Sequence, residues 1–140
     1  ETFEETGLVI GRPSSQSVKT AHPVWQQYLG HGVEPPLAQM DFIARAITPP
    51  YRTRRFDTRF FLIHDEFIHN DPEQITDASG ELNQLHWLTL NEARDLDLPA
   101  VTRWAIDLVE ERIQLTQREQ LRQPAPFMRF LKGKPISLDL

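Results

Sequence analysis

The chain has 140 residues, the size of one domain, and its 39% hydrophobic and 25% charged residues are the balance of an ordinary globular protein. Its net charge of −5 argues against broad nucleic-acid binding, which needs a basic face, but leaves room for a local phosphate site. It has no cysteine, which excludes disulfides, thiolate catalysis and cysteine-held zinc or iron–sulfur clusters within these residues. No run approaches the roughly 18 apolar residues of a membrane span, so no membrane partner and a cytoplasmic location are expected.

The first eight residues read Glu1-Thr2-Phe3-Glu4-Glu5-Thr6-Gly7-Leu8. Spacings of three and four put Glu1, Glu4 and Glu5 on one helical face, where like charges weaken a helix by about a few tenths of a kcal/mol and call for a positive partner. Gly7 suits the left-handed residue that ends a helix, and residues 8–10 then read as a short apolar strand. Taken alone, the segment also fits a plain solvated acidic turn.

Residues 11–36 are loop-like, with three glycines, several prolines and four serines or threonines. Within them, residues 22–30 predict a short helix, with Pro23 in its first turn and Gly30 closing it. Trp25, Tyr28 and Leu29 share one face; they pin the segment to a core or, on the sharper reading, wall a nucleotide pocket. His22 and His31 flank this helix as surface residues.

Residues 40–47 alternate as a strand, Thr48-Pro49-Pro50 breaks it, and residues 55–64 read as its antiparallel partner. The hairpin carries Arg45, Arg52, Arg54, Arg55 and Arg59, a local positive excess in an acidic chain. Guanidinium forks match phosphate geometry, so Arg45, Arg54, Arg55 and Arg59 are candidate substrate contacts. Pairing with neighbouring acids is the competing account, and Asp57 is the obvious partner. Residues 64–81 are acidic and irregular and lack the Asp-x-Asp spacing of a calcium loop.

Residues 84–88 read as a further strand with Trp87 in the core. Thr89-Leu90-Asn91-Glu92 is a capping box that opens a helix of one or two turns. A longer helix is expected from Pro99 to about Arg122, with Val101, Trp104, Ala105, Leu108, Val109, Arg112 and Ile113 in one buried stripe. Residues 123–140 form a tail with Phe127, Phe130 and Leu131, open to docking on the domain or on a second copy, so a homodimer is allowed for.

The opening residues resemble the second half of the Nudix signature, REUxEExGU, in which U is a bulky apolar residue. Glu1 would be the acid of the RE pair, Glu4 and Glu5 the EE pair, Gly7 the glycine and Leu8 the last U, while Thr2 is less apolar than the first U requires. Ala44-Arg45-Ala46-Ile47-Thr48-Pro49-Pro50 followed by Arg54-Arg55-Phe56-Asp57-Thr58-Arg59-Phe60-Phe61 looks like bacterial Nudix hydrolases similar to the peroxisomal coenzyme A diphosphatase branch. Trp87 to Ala93 resembles the tryptophan strand and Glu-Ala helix of many Nudix domains.

This resemblance implies an α+β fold, a Nudix-type α/β/α sandwich with a mixed sheet. Residues 1–122 would be the C-terminal portion of a single such domain, with 11–36 as an insertion and 123–140 as a tail; the first strands and the start of the signature helix would precede Glu1. It further implies hydrolysis, dependent on Mg²⁺ or Mn²⁺, of a nucleoside diphosphate linked to another moiety, such as coenzyme A, NADH or ADP-ribose. Glu1, Glu4 and Glu5 would hold the metal, and Glu4, Glu5 or Glu81 would act catalytically. The rival expectations are a nucleotide-binding module that does not cleave, and an unrelated interaction domain.

Overall fold

The structure is a computed structural model that describes residues 2–15, 19–71, 85–132 and 134–140. It is of α+β class and divides into two compact units, one formed by residues 1–39 with 63–87 and the other by 40–62 with 88–140.

The first unit begins with helix α1, Thr2–Thr6. The helix stops where expected: Gly7 takes φ 73°, and its N–H donates to the carbonyl of Phe3 at 2.8 Å, closing the last turn. The expected strand at 8–10 is not a regular strand: among the described residues its ladder pairing is an isolated bridge between Ile10 and Ile68. Around it, Gly11 N–H donates to Phe67 O and His69 N–H to Val9 O, both at 2.8 Å. The chain then forms β1, Arg12–Pro13, antiparallel to β2, Val33–Glu34.

Between these strands lies α2, Pro23–Gly30, within one residue of the predicted 22–30 and with His22 as its N-cap. Its apolar face anchors the segment through Tyr28, which is buried with Phe3, Val9 and Val33, while Trp25 remains half exposed. The Tyr28 hydroxyl donates to Ile10 O at 2.8 Å, so the one polar atom that this ring carries inward finds a partner. A β-carbon on Gly11 would stand 2.8 Å from Val33 Cβ and 3.0 Å from the Tyr28 hydroxyl, so this close approach needs a glycine.

The second unit is built on a mixed four-stranded sheet of order β4-β3-β5-β6. Strand β3, Asp41–Ile47, pairs antiparallel with β4, Asp57–Leu62, as the alternation and the Pro-Pro break predict. A bulge between Phe42 and Ala44 resets the pleat, so that Asp41, Ala44 and Ala46 stand opposite Leu62, Phe60 and Thr58. Phe42, Arg45 and Ile47 stand opposite Phe61, Arg59 and Asp57.

The helices follow. Helix α3, Leu90–Asp95, starts at the expected capping box, where Thr89 Oγ1 accepts from Glu92 N–H at 3.2 Å and the Glu92 carboxylate accepts from Thr89 N–H at 2.8 Å. Arg94 ties it to helix α4, Ala100–Arg112, through Asp107 and Glu110. The expected long helix therefore ends ten residues early. A second capping box at Thr116 and Glu119 starts a separate short helix, α5, Gln117–Gln120, and the Gln120 amide donates to the carbonyls of Arg112 and Leu115 at and after the end of α4.

Residues 85–89 have no regular structure and Trp87 is 65% exposed, so it is not the core residue that its apolar setting suggests. The tail is part of the sheet. Strand β5, Pro126–Leu131, pairs parallel with β3, and β6, Lys134–Asp139, returns antiparallel to β5. Ile43, Ala44, Ala46, Ala105, Ala125 and Phe127 are the buried apolar residues of this unit.

Candidate functional site

Two groups of side chains carry chemistry, one in each unit. In the first unit, Phe3 fixes the orientation of α1: its ring meets Tyr28 edge-on at 5.8 Å and His31 at 5.6 Å. With Phe3 held inward, Glu4 is exposed and Glu5 half-buried on the remaining surface of the turn. Neither carboxylate makes a hydrogen bond or ion pair with a described residue. Among the described residues no group of three or more possible metal ligands is assembled. Glu1, the third expected ligand, and Glu81, the expected further acid, lie outside the described residues.

Asn70 is the residue of this region that sequence reasoning missed. Its side-chain amide donates to Gly7 O at 2.9 Å, and its carbonyl oxygen accepts from Val9 N–H at 2.8 Å. The chain leaving the acidic turn is thereby clamped on both sides of Leu8. No signal in the sequence marks Asn70, because the bond spans more than sixty positions.

In the second unit, the hairpin arginines fall into two sets. Arg54 and Arg55 lie in the link after Thr48 and are exposed; Arg55 Nε donates to Thr48 O at 3.4 Å, and Thr48 closes the link by accepting from Phe56 N–H at 2.9 Å. Arg45 is held in the sheet by Asp57, with Nε to Oδ1 at 2.8 Å and Nη2 to Oδ2 at 2.6 Å. This is the pairing that the competing account anticipates. The fork holds the Asp57 carboxyl below its ordinary range and the Arg45 guanidinium above its own. Arg59 faces Arg45 across the strand pair, is exposed, and adds to the positive field on Asp57.

Arg45 also lies over the ring of Phe127, 4.8 Å from its centre, and Arg129 stands 5.9 Å from the same ring. Arg129 is absent from the sequence-based set, because only the parallel pairing of β3 with β5 brings it to this face.

Buried beneath the other face is a fixed polar network. Asp41, Arg112 and Gln120 are 4%, 4% and 3% exposed, and Arg112 donates to both Asp41 oxygens, to Gln120 O and to Pro124 O. With its hydrogen bonds spent internally, it has the character of a structural joint.

Among the described residues no helix is long and apolar enough to cross a membrane. Comparison with family models, with curated proteins and with solved structures finds no match to this chain.

Proposed function

We propose that the protein is a Nudix-type hydrolase that cleaves a nucleoside diphosphate linked to another moiety. The observation that carries this reading is the acidic turn. Glu4 and Glu5 sit on a helical turn anchored by the buried Phe3, stopped by Gly7 at φ 73° and clamped by Asn70, the local form in which the EExG pattern would present carboxylates. The α+β class and the mixed sheet are compatible with the sandwich that the family resemblance implies.

Two carboxylates without a described partner offer the anionic oxygens that Mg²⁺ and Mn²⁺ prefer, and Glu1 would complete the set by motif position. A bound divalent ion would neutralise charge on the phosphate oxygens as the bridge breaks. Glu4 or Glu5 would receive a proton from the attacking water, a role also open to Glu81. Water attacks one phosphorus, its bond to the bridging oxygen breaks, and two phosphate monoesters leave. Phosphoryl transfer asks chiefly for positioning and charge stabilisation, which the ion and its carboxylates would supply.

The test is a panel of coenzyme A, NADH and ADP-ribose incubated with the full chain and Mg²⁺ or Mn²⁺, with products identified by mass. Two monoester products, lost on adding EDTA, are expected, and Glu5→Gln should lower turnover by at least roughly 100-fold with an unchanged circular dichroism spectrum. Cleavage that persists without divalent ion, or full turnover in Glu5→Gln, would overturn the reading.

A further inference from the structure

We propose that Arg45, Arg59 and Arg129 form a phosphate-binding site around the ring of Phe127, in which Asp57 occupies Arg45 until a ligand phosphate displaces it. The site lies wholly within the second unit and stands independently of the hydrolase reading.

Three strands supply it, and their register explains why. Arg45 on β3 is opposite Arg59 on β4 in the antiparallel pair and aligned with Phe127 on β5 in the parallel pair. Side chains two apart on a strand share a face, which adds Asp57 beside Arg59 and Arg129 beside Phe127. Two contacts verify the convergence: the double hydrogen bond of Arg45 to Asp57, and the guanidinium groups of Arg45 and Arg129 on the one Phe127 ring.

The charge does not close. Three guanidinium groups meet one carboxylate, in a chain whose overall charge is −5. Like charges directly opposite one another on a sheet are destabilising, so Arg45 against Arg59 is an arrangement that folding alone disfavours. Asp57 satisfies Nε and Nη2 of Arg45, whereas Arg59 and Arg129 are exposed and make no hydrogen bond with a described residue. The remaining excess of two positive charges matches the roughly −1.5 to −2 of a phosphate group at neutral pH. Guanidinium forks also suit phosphate oxygens in geometry.

An aromatic wall continues the same face. Phe61 lies two residues beyond Arg59 on β4, about 7 Å along the strand, and packs against Phe42 with ring centres 5.4 Å apart. Phe61 is 49% exposed, which leaves apolar surface for a flat ligand group to cover. Phosphate on the arginines with a base on Phe61 describes a nucleotide better than it describes free phosphate.

The experiment is calorimetric titration of the full chain in EDTA, first with inorganic pyrophosphate and then with ADP, so that metal-dependent chemistry plays no part. Both should bind, with affinity falling as salt rises. The double substitution Arg59→Ala and Arg129→Ala should weaken pyrophosphate binding by about tenfold or more, while the charge-matched pair Arg118→Ala with Arg122→Ala, exposed at and after α5, leaves it unchanged.

Asp57→Asn keeps the side-chain shape but releases Arg45, and should tighten pyrophosphate binding by about threefold or more. That gain cannot come from a merely structural Asp57, whose loss would leave binding unchanged or weaken it. ADP should bind more tightly than pyrophosphate, and Phe61→Ala should erase the difference. Absence of pyrophosphate binding, indifference to the Arg59 and Arg129 substitutions, or unchanged or weaker binding in Asp57→Asn would overturn the site. An ADP affinity no higher than that of pyrophosphate would overturn the nucleotide assignment. Thermal melts confirming that each variant is folded make every loss interpretable.

Discussion

A single guanidinium nitrogen, Nη1 of Arg112, donates to both carboxylate oxygens of Asp41 at 2.8 Å, joining the last residue of α4 to the first residue of β3. The pair is buried on both sides; the same Nη1 also reaches Gln120 O at 2.9 Å, and Nη2 reaches Pro124 O at 2.7 Å. A charge so enclosed is tolerated because its hydrogen bonds are met. Removing one partner leaves the other buried and unpaired.

Asp41→Ala is therefore expected to cost about 3–5 kcal/mol in urea unfolding, and Asp41→Leu with Arg112→Met should recover most of that loss. A cost for Asp41→Ala below about 1 kcal/mol, the range of an exposed pair, would show that the joint is solvated.

Two glycines separate backbone approach from helix propensity. Gly11→Ala forces a β-carbon to within 2.8 Å of Val33 and should destabilise by about 1–3 kcal/mol. Gly30→Ala meets nothing within 4 Å at the end of α2 and should be neutral or stabilise by up to about 1 kcal/mol. Thermal melts of the two variants should move in opposite directions or differ clearly; equal shifts would contradict the packing of Gly11 on Val33.

Helix starts can be tested in parallel. Thr89→Ala removes the hydroxyl that accepts from Glu92 N–H, and Thr116→Ala the one that donates to the Glu119 carboxylate; each should cost about 1 kcal/mol, measured by chemical denaturation. If Thr116→Ala is silent, the break between α4 and α5 does not depend on that cap.

Acid should weaken the fold by a mechanism with a definite sign. Asp57, Glu34, Glu92 and Glu119 all titrate below their ordinary range, Asp57 and Glu34 chiefly through hydrogen bonds from Arg45 and Arg12, Glu92 and Glu119 through Thr89 and Thr116. A carboxyl with a lowered folded pKa contributes stability that is present above its unfolded value and lost as pH falls through the folded one. Melting temperature should thus hold near neutrality and decline below about pH 4, the unfolded range of these groups. Asp57→Asn should make that decline shallower, and an unchanged acid limb in this variant would remove Asp57 from the account.

Much of the local structure was legible in the residues. Gly7, the Pro23 helix, the hairpin broken at Thr48-Pro49-Pro50 and the Thr89 capping box all depend on neighbours within a few positions, where backbone sterics and short hydrogen bonds decide. The Thr116-x-x-Glu119 signature was equally readable, yet the continuing apolar period of α4 pointed past it. Trp87 misled for the opposite reason, because an aromatic residue amid apolar neighbours does not show what those neighbours meet.

The candidate sites divide in the same way. The sequence by itself determined the acidic turn, its glycine stop and the arginine-rich hairpin, because each is a matter of spacing along one strand or one helical turn. Only the tertiary structure decided that Asp57 holds Arg45, that Asn70 clamps the exit of α1, and that Arg129 joins Arg45 at Phe127. The last needs β5 to lie parallel beside β3, some eighty residues away in the chain. Such a pairing is selected by the free energy of the assembled sheet and helices, to which no short window of sequence has access.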